Sequence, residues 1–409
     1  MNDVPPTPVP STATPSHIPP LPQVRTLLDP PPEFTARRGR RPISRVALWG
    51  ETTAWLITRH DEAKAVLADA RFSANVSKPG FPGMTPSAPP RSPGHIQFMD
   101  PPEHGRLRRM VLPDFTFRRI EQLRPAIRQT CERLIDELTA AGPGTADLVE
   151  TFALPLPTLV ICELLGVPYE RRAFFQEHSQ AFFNTSSTRE QMFAARLAIQ
   201  GYLSELLAAK SAEPADDLLS RLAVDRVATG EAGAEEAVGL ASLLLVAGHE
   251  TTAHMFPLGV VALLRHPEQL DKLRADPDGW PEAIEELLRY LTIAHTGMRR
   301  IATHDVEVGG VLIRAGEGVV VALDAANRDP EVFADPDTLD LSRNARAHLA
   351  FGYGLHQCVG QSLARAELQI GLPLLFERLP ELRLATDDPE QYMLRGRAVH
   401  GVSRLPVAW

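Results

Sequence analysis

Cysteine is scarce in this chain: Cys131, Cys162 and Cys358 are the only three in 409 residues. An odd number of widely separated thiols cannot build a disulfide framework without a leftover, and no CxxC or HxxH spacing accompanies them. A disulfide-stapled secreted fold and a structural zinc site are therefore both unexpected, and a reducing cytoplasm is the expected compartment. Basic residues are missing from the start, with no Lys or Arg before Arg25 and eleven prolines in residues 1–32. The basic and apolar regions of a signal peptide are thus absent, and residues 1–33 read as a Pro-rich segment, partly mobile. Long apolar runs are missing too. The most apolar stretch, Gly239–Gly248, is broken by His249 and Glu250, well short of the ~18–20 residues of a membrane span. Charge of one sign is in no large excess: 42 basic and 51 acidic residues give −9, which argues against a nucleic-acid binder. No 20–50-residue period recurs, so solenoids and propellers are not expected.

What is present is an ordinary globular composition, 44% hydrophobic and 23% charged, on a chain long enough for one large core. Apolar residues at helical spacing predict helices over Arg118–Ala141, Leu154–Leu165, Glu170–Phe183, Glu190–Ala209 and Glu235–Leu264. Val46–Thr58 predicts a hairpin followed by a helix over Arg59–Leu67. Val306–Val308 and Val311–Ile313 flank Gly309-Gly310 as a second hairpin, with Val319–Leu323 as a further strand. Ser77–Pro102, rich in Pro and Gly, is a long loop and a candidate lid. The expected fold class is mainly α with small β-sheets, as a single large domain over residues 34–409.

The densest chemical signal runs from Phe351 through Gly352, Gly354, His356 and Cys358 to Gly360, ahead of a helical run from Gln361 to Leu372. A glycine-rich loop here delivers a thiol to a helix N-terminus, where the dipole and free N–H groups favour the thiolate. The glycines allow backbone to approach something flat and large. A lone cysteine is more often a small core residue; the glycines around this one change the odds.

The string resembles the haem-binding loop of the cytochrome P450 family. That resemblance implies the family's fold, haem b as cofactor, Cys358 as the axial thiolate ligand, Phe351 beside the sulfur, and His356 in reach of a haem propionate. Gly352, Gly354 and Gly360 would cradle the cofactor. Upstream, Leu243–Thr252 resembles the family's oxygen-activation motif, which implies Ala247 and Gly248 as the small-residue pair and Glu250 with Thr251 as the acid–alcohol pair that handles protons. A purely structural reason for Gly248 and a buried Glu250 is hard to supply from sequence. Pro257 in the same helix predicts a kink. Glu286 and Arg289, three apart in a helix opened by Trp280-Pro281, are by themselves an ordinary solvated pair. The resemblance implies a buried ion network completed by Arg343, with Leu339 where an aromatic is common. His104 and Arg108, four apart after Asp100-Pro101-Pro102-Glu103, are implied propionate anchors together with Arg300, Arg299 being the fallback.

The function so implied is a haem-thiolate monooxygenase of the soluble bacterial type. It would use dioxygen, and electrons from a ferredoxin served by a separate NAD(P)H-dependent reductase, to hydroxylate a large, mostly apolar small molecule such as a macrolide, another polyketide or a sterol-like compound. Arg106 and Arg109 are candidate ferredoxin contacts, and a monomer is expected. The resemblance puts Phe81, Phe98, Phe182, Leu244, Ala247, Ile293, Thr296 and Met393 around the substrate. Alternatives are a peroxide-using or C–C-coupling member of the family, a non-enzymatic haem carrier or sensor, and, far lower, a hydrolase pairing Cys358 with His356.

Overall fold

A computed structural model describes residues 18–49, 52–83, 93–140, 142, 144–183 and 187–409. The short helix α1 (Pro32–Arg40) leads to the predicted hairpin, β1 (Ile43–Ala47) and β2 (Thr53–Ile57), and then to α2 (His60–Ala68) and β3 (Phe72–Ser73). The helical body follows as α3 (Glu103–Val111), α4 (Phe117–Thr139), β4 (Thr145–Asp147), α5 (Pro155–Leu165), α6 (Arg172–Phe183), α7 (Arg189–Ala212) and α8 (Leu218–Arg221). Next come α9 (Ala234–Arg265), α10 (Pro267–Ala275) and α11 (Trp280–Leu291). The late section alternates, with β5 (Met298–Ala302), β6 (Val306–Val308), β7 (Val311–Ile313), β8 (Gly318–Val321), α12 (Leu323–Ala326), α13 (Gln361–Arg378), β9 (Arg383–Leu384) and β10 (Pro406–Ala408). The expected helix-rich architecture with small sheets is what the chain adopts.

One sheet orders its strands β1-β2-β8-β5-β3, so chain far apart in sequence is paired: β8 runs parallel to β2 and antiparallel to β5. Val319, Val320 and Val321 are buried on both faces of that sheet, which explains a continuous rather than alternating apolar run. The pairings β4-β10-β9 and β6-β7 make two smaller sheets.

The axis of the body is α9, apolar nearly all round and mostly buried between Ala237 and Leu263, packed against α5, α7 and α13. It runs unbroken through Pro257, so the proline removes one backbone hydrogen bond without ending the helix.

The N-terminal segment is more closely integrated than the expected boundary at 33/34 allows. Leu27 is fully buried in the main core, and the Arg25 guanidinium donates to the carbonyls of Leu291 at 3.1 Å and Thr292 at 3.4 Å. Part of the candidate lid, residues 84–92, lies outside the described residues. Where the chain resumes, Gly94 has φ +81° and packs on α9 so closely that a Cβ would meet the Glu236 carbonyl oxygen at 2.3 Å.

Candidate active site

The cysteine loop is held by its own backbone. Gly352 N–H donates to the Leu349 carbonyl at 2.8 Å, and Cys358 N–H closes the loop on the Phe351 carbonyl at 2.9 Å. Gly354, at φ +71°, lies against the end of α2, where a Cβ would meet the Leu67 carbonyl oxygen at 2.5 Å; glycine is obligatory there on both counts. The Arg365 guanidinium lies 4.5 Å over the Phe351 ring, fixing that face of the loop to α13. Cys358 keeps accessible surface, yet its surroundings are dense enough that burial dominates and raises the thiol's pKa. The N–H groups of Gly360 and Gln361, with Arg108 and Arg365, pull the other way. Every group aimed at this sulfur favours negative charge on it, which is the donor set a thiolate ligand needs.

Beside the sulfur is a largely buried cluster of His104, His356, Arg108 and Arg300. The rings of His104 and His356 lie 4.2 Å apart, and Arg108 Nη2 donates to the Gln357 carbonyl at 2.7 Å, tying α3 to the cysteine loop. Both ring nitrogens of His104 and Nη2 of Arg300 are buried with no hydrogen-bond partner among the described residues. Burial, then Arg300, His104 and Arg108, push His356 down to about 3, and burial, opposed by Asp100, lowers Arg300 to about 10. Asp100 is occupied elsewhere, accepting from Ser73 Oγ at 2.5 Å and Ala74 N–H at 3.0 Å. Unpaired donors gathered in one buried place require an anion. Arg299 points into a different task, donating to the carbonyls of Pro82 at 2.7 Å and Gly83 at 2.8 Å, so of the two neighbours Arg300 is the one that joins the cluster.

On α9, Thr251 Oγ1 donates to the Ala247 carbonyl at 2.9 Å, which leaves the hydroxyl its lone pairs to accept with. Glu250, 6% exposed, turns to His249 and His254 rather than to Thr251: Oε2 lies 3.3 Å from His249 Nε2, and Oε1 lies 3.7 Å from His254 Nε2. Burial works to raise this carboxyl, but the two histidines outweigh it and hold it at about 2. Gly248 has a packing reason that sequence did not supply: a Cβ would lie 2.8 Å from Ile161 Cγ1 on α5.

The expected ion network is present. Arg289 forks onto Glu286 at 2.7 and 2.8 Å, Arg343 Nε adds 3.2 Å, and both members of the central pair are fully buried. Arg289 Nη1 also donates to the carbonyls of Asn327 and Pro336 at 2.8 and 2.9 Å, pinning the chain ahead of the cysteine loop.

Sequence reasoning missed a second network next to it. Glu285 accepts from Arg365 at 2.6 and 2.9 Å and from His348 Nε2 at 3.1 Å. The His348 tautomer is set by Ala350 N–H, which donates to Nδ1 at 3.1 Å. Asn327 Oδ1 accepts from Leu349 N–H at 2.6 Å. Also missed was Glu367, fully enclosed on α13 near Thr252, with neither carboxyl oxygen in a well-formed hydrogen bond among the described residues.

The expected substrate-side residues come from separate segments, some of which the backbone joins. His400 N–H donates to the Ile293 carbonyl at 2.8 Å, and His295 N–H to the Ala398 carbonyl at 3.2 Å, bringing 293–298 to the loop that carries Met393. Leu244 is buried, while Phe81, Phe98, Ala247, Ile293 and Met393 are half-buried. Thr296 lines a small crevice with Leu21, Pro22 and Phe34. The side chain of Phe182 lies outside the described residues.

A thiol under converging donors, beside a buried cluster in which His104 and Arg300 keep unpaired nitrogens, fits a haem, whose iron takes a thiolate and whose two carboxylates take such donors. Residues 281–396 match the family model for Cytochrome P450. "Cytochrome P450-SU2" of Streptomyces griseolus is 48% identical over 93% of this chain and 94% of its own length. "Vitamin D3 dihydroxylase" of the same organism is 48% identical over 90% and 91%. The crystal structure of CYP105P1 in complex with filipin I superposes with a TM-score of 0.91 at 40% identity, covering 96% of this chain and 99% of that one. The chain belongs to the cytochrome P450 family: it is a haem-thiolate monooxygenase of the bacterial type, with haem as its cofactor. No helix among the described residues is long and apolar enough to cross a membrane.

Proposed function

We propose that this enzyme hydroxylates a large, mostly apolar small molecule, a macrolide or other polyketide or a sterol-like compound, using dioxygen and electrons from a ferredoxin with its own reductase. The observation that carries the proposal is the juxtaposition of Cys358 with the cluster of His104, Arg300 and His356, in which His104 and Arg300 keep unpaired nitrogens. Cys358 would hold the iron, and His104, Arg108, Arg300 and His356 the propionates. When bound, the haem supplies dioxygen binding and O–O cleavage, favoured by the electron density a thiolate provides.

The chain's own residues do the rest. Thr251, its proton committed to the Ala247 carbonyl, accepts a hydrogen bond at Oγ1 and so holds a proton-bearing group beside α9. Glu250 is the acid nearest in sequence, and with its carboxyl turned to His249 and His254 it serves Thr251 through water rather than by direct contact. Leu244, Ala247, Ile293 and Met393 offer apolar surface that orients a substrate by shape more than by hydrogen bonds. The relatives named for vitamin D3 and for a complex with filipin I support a bulky substrate.

Electrons enter on the cysteine side. Arg109 and Arg118 are exposed there beside Leu112 and Phe117, the latter 75% exposed, a basic surface with apolar anchors that suits a small acidic ferredoxin. Arg106 drops out as a contact, because its guanidinium is paired with Glu236 and donates to the Glu231 carbonyl at 3.0 Å. The enzyme works as a cytoplasmic monomer.

Reduction under carbon monoxide tests the assignment: the wild type gives a strongly red-shifted band that Cys358→Ala lacks, and a band that survives in the variant overturns Cys358 as ligand. A panel of macrolides, sterols, fatty acids and small terpenes, scored by the spectral change on binding, tests the substrate; response to small terpenes or fatty acids alone overturns it.

A further inference from the structure

The C-terminal end of α11 makes a turn that its own residues do not support. Thr292, which ends the helix, is buried at φ +30°, a β-branched residue in the left-handed region where glycine is usual. The last carbonyls of a helix find no partner within it, and in a buried place they need a donor from elsewhere. Here the donor is Arg25, itself buried, which sends Nη2 to the Leu291 carbonyl at 3.1 Å and Nη1 to the Thr292 carbonyl at 3.4 Å. Its counter-ion does not take the fork away. Asp324 on α12 stands 3.9 Å from Nη1, and Asp324 Oδ2 has no hydrogen-bond partner among the described residues. From the other side, Asn327 Nδ2 donates to Thr292 Oγ1 at 2.8 Å.

The chain that leaves this turn is the substrate-side segment 293–298, and the same stretch of N-terminal chain holds it a second time. His400 N–H donates to the Ile293 carbonyl at 2.8 Å, while His400 Nε2 lies 2.8 Å from the Leu27 carbonyl. A carbonyl only accepts, so Nε2 carries the proton, and burial keeps the ring neutral. Residues 21–29 thus form a strap laid on the outside of the segment, with Leu21 and Pro22 against His295 and Thr296. The strap is fastened at both ends: Leu21 N–H donates to the Ala47 carbonyl at 2.8 Å, and Arg328 Nη2 to the Leu28 carbonyl at 3.4 Å. We propose that Arg25 and His400 are positioning residues for the substrate: from behind, they fix the backbone that carries Ile293 and so the shape of the wall a bulky ligand meets. This rests on the substrate-side place given to Ile293 above. Neither side chain has to touch the ligand. With the fork gone, Thr292 is released from its left-handed conformation, and the residues that follow move with it.

The test uses the ferric holoenzyme and two azoles that bind haem iron through a ring nitrogen: imidazole, too small to press on the walls, and clotrimazole, whose aromatic rings do. Arg25→Met is made together with Asp324→Asn, so that no buried charge is left unpaired, and Asp324→Asn alone is the control. The double variant is expected to weaken clotrimazole about tenfold while imidazole stays within about twofold of the wild type, as for a wall displaced without loss of the iron site. Asp324→Asn alone leaves the fork on the carbonyls and keeps the wild-type ratio. His400→Leu carries the test independently of Arg25: it falls with the double variant, and His400→Gln, which still offers a donor to the Leu27 carbonyl, restores clotrimazole binding. Deuterium uptake rises over residues 293–298 in both weakened variants and stays unchanged in the middle of α9. A lowered urea midpoint with the wild-type ratio of the two azoles overturns the proposal, because the strap then only stabilises. An equal loss of both azoles overturns it too, since the iron site itself has then been disturbed. Turnover of small terpenes alone overturns the proposed substrate and leaves the positioning role standing, because neither azole is a substrate.

Discussion

Glu367 offers a sharp test of how this fold treats an enclosed acid. It lies on α13, 1% exposed, with no well-formed hydrogen bond at either carboxyl oxygen among the described residues. Burial, only partly offset by the Thr252 hydroxyl nearby, pushes it up from 4.5 to about 8. The folded protein therefore keeps a proton on Glu367 through a pH window in which the unfolded chain has lost it. The sign follows: this group's contribution is most favourable below about pH 4.5 and declines as pH rises to about 8, at about 1.4 kcal/mol per pH unit and about 5 kcal/mol across the window. Glu367→Gln keeps the shape of the protonated acid and removes its titration. Urea unfolding of wild type and variant at pH 6, 7 and 8, compared as differences so that other groups cancel, reads the effect. The variant is expected to gain on the wild type by about 1.4 kcal/mol for each unit of pH. A difference that stays flat over that range refutes a neutral Glu367.

Glu286→Gln leaves the fully buried Arg289 short of its counter-charge and is expected to cost about 3–5 kcal/mol by urea unfolding; a loss under about 1 kcal/mol would show the pair to be dispensable. Gly354→Ala forces a Cβ within 2.5 Å of the Leu67 carbonyl oxygen at φ +71° and should cost about 1–3 kcal/mol while lowering haem content per chain, both checked on purified protein. Glu250 and Glu285 are both held at about 2 against an ordinary 4.5, so the stability they contribute is complete above about pH 4.5 and is lost as pH falls from there toward about 2. Acid unfolding of Glu285→Gln should accordingly show a shallower pH dependence than wild type. Arg109→Glu should slow reduction by ferredoxin and weaken its salt dependence, and an unaltered rate at low salt would contradict the docking face.

What sequence made legible was local. Phe351 to Gly360 and Ala247 to Thr251 carry their chemistry in contiguous residues, and Gly354 and Cys358 stand where those strings put them. The ion network of Glu286, Arg289 and Arg343 came through because a fixed spacing of three marks its core. The Glu285 network did not, since its partners His348 and Arg365 lie 63 and 80 residues away and Glu285 looks like one more acid on a solvated helix. The preference for Arg300 over Arg299 came from the resemblance alone; the physical ground for telling the two apart lies in strand β5, which turns successive side chains to opposite faces. His249 was read only as the end of an apolar run. The signal for it was a histidine beside a glutamate in a helix otherwise apolar enough to be buried. For the N-terminal segment composition offered only a Pro-rich, partly mobile stretch over 1–33, and the burial of Leu27 and Arg25 uses tertiary contacts that no local pattern encodes.

The buried charges of this protein fall into two groups, and the division maps the site. Glu285, Glu286, Arg289 and Arg365 are paired in good geometry, and together they clamp α11, α13 and the approach to the cysteine loop. His104 and Arg300 keep donors without partners in equally buried places, where each unpaired group costs about 1–3 kcal/mol. A fold able to pair the first group this thoroughly is not short of carboxylates for the second. Leaving those donors open beside Cys358 reserves them for an anion the chain does not encode, as the carboxylates of a haem would be. On the proposed reading the rigid clamp and the open donors are two halves of one arrangement: the clamp would fix where Cys358 stands, and Arg300 with His104 would orient a flat cofactor carrying two carboxylates against it.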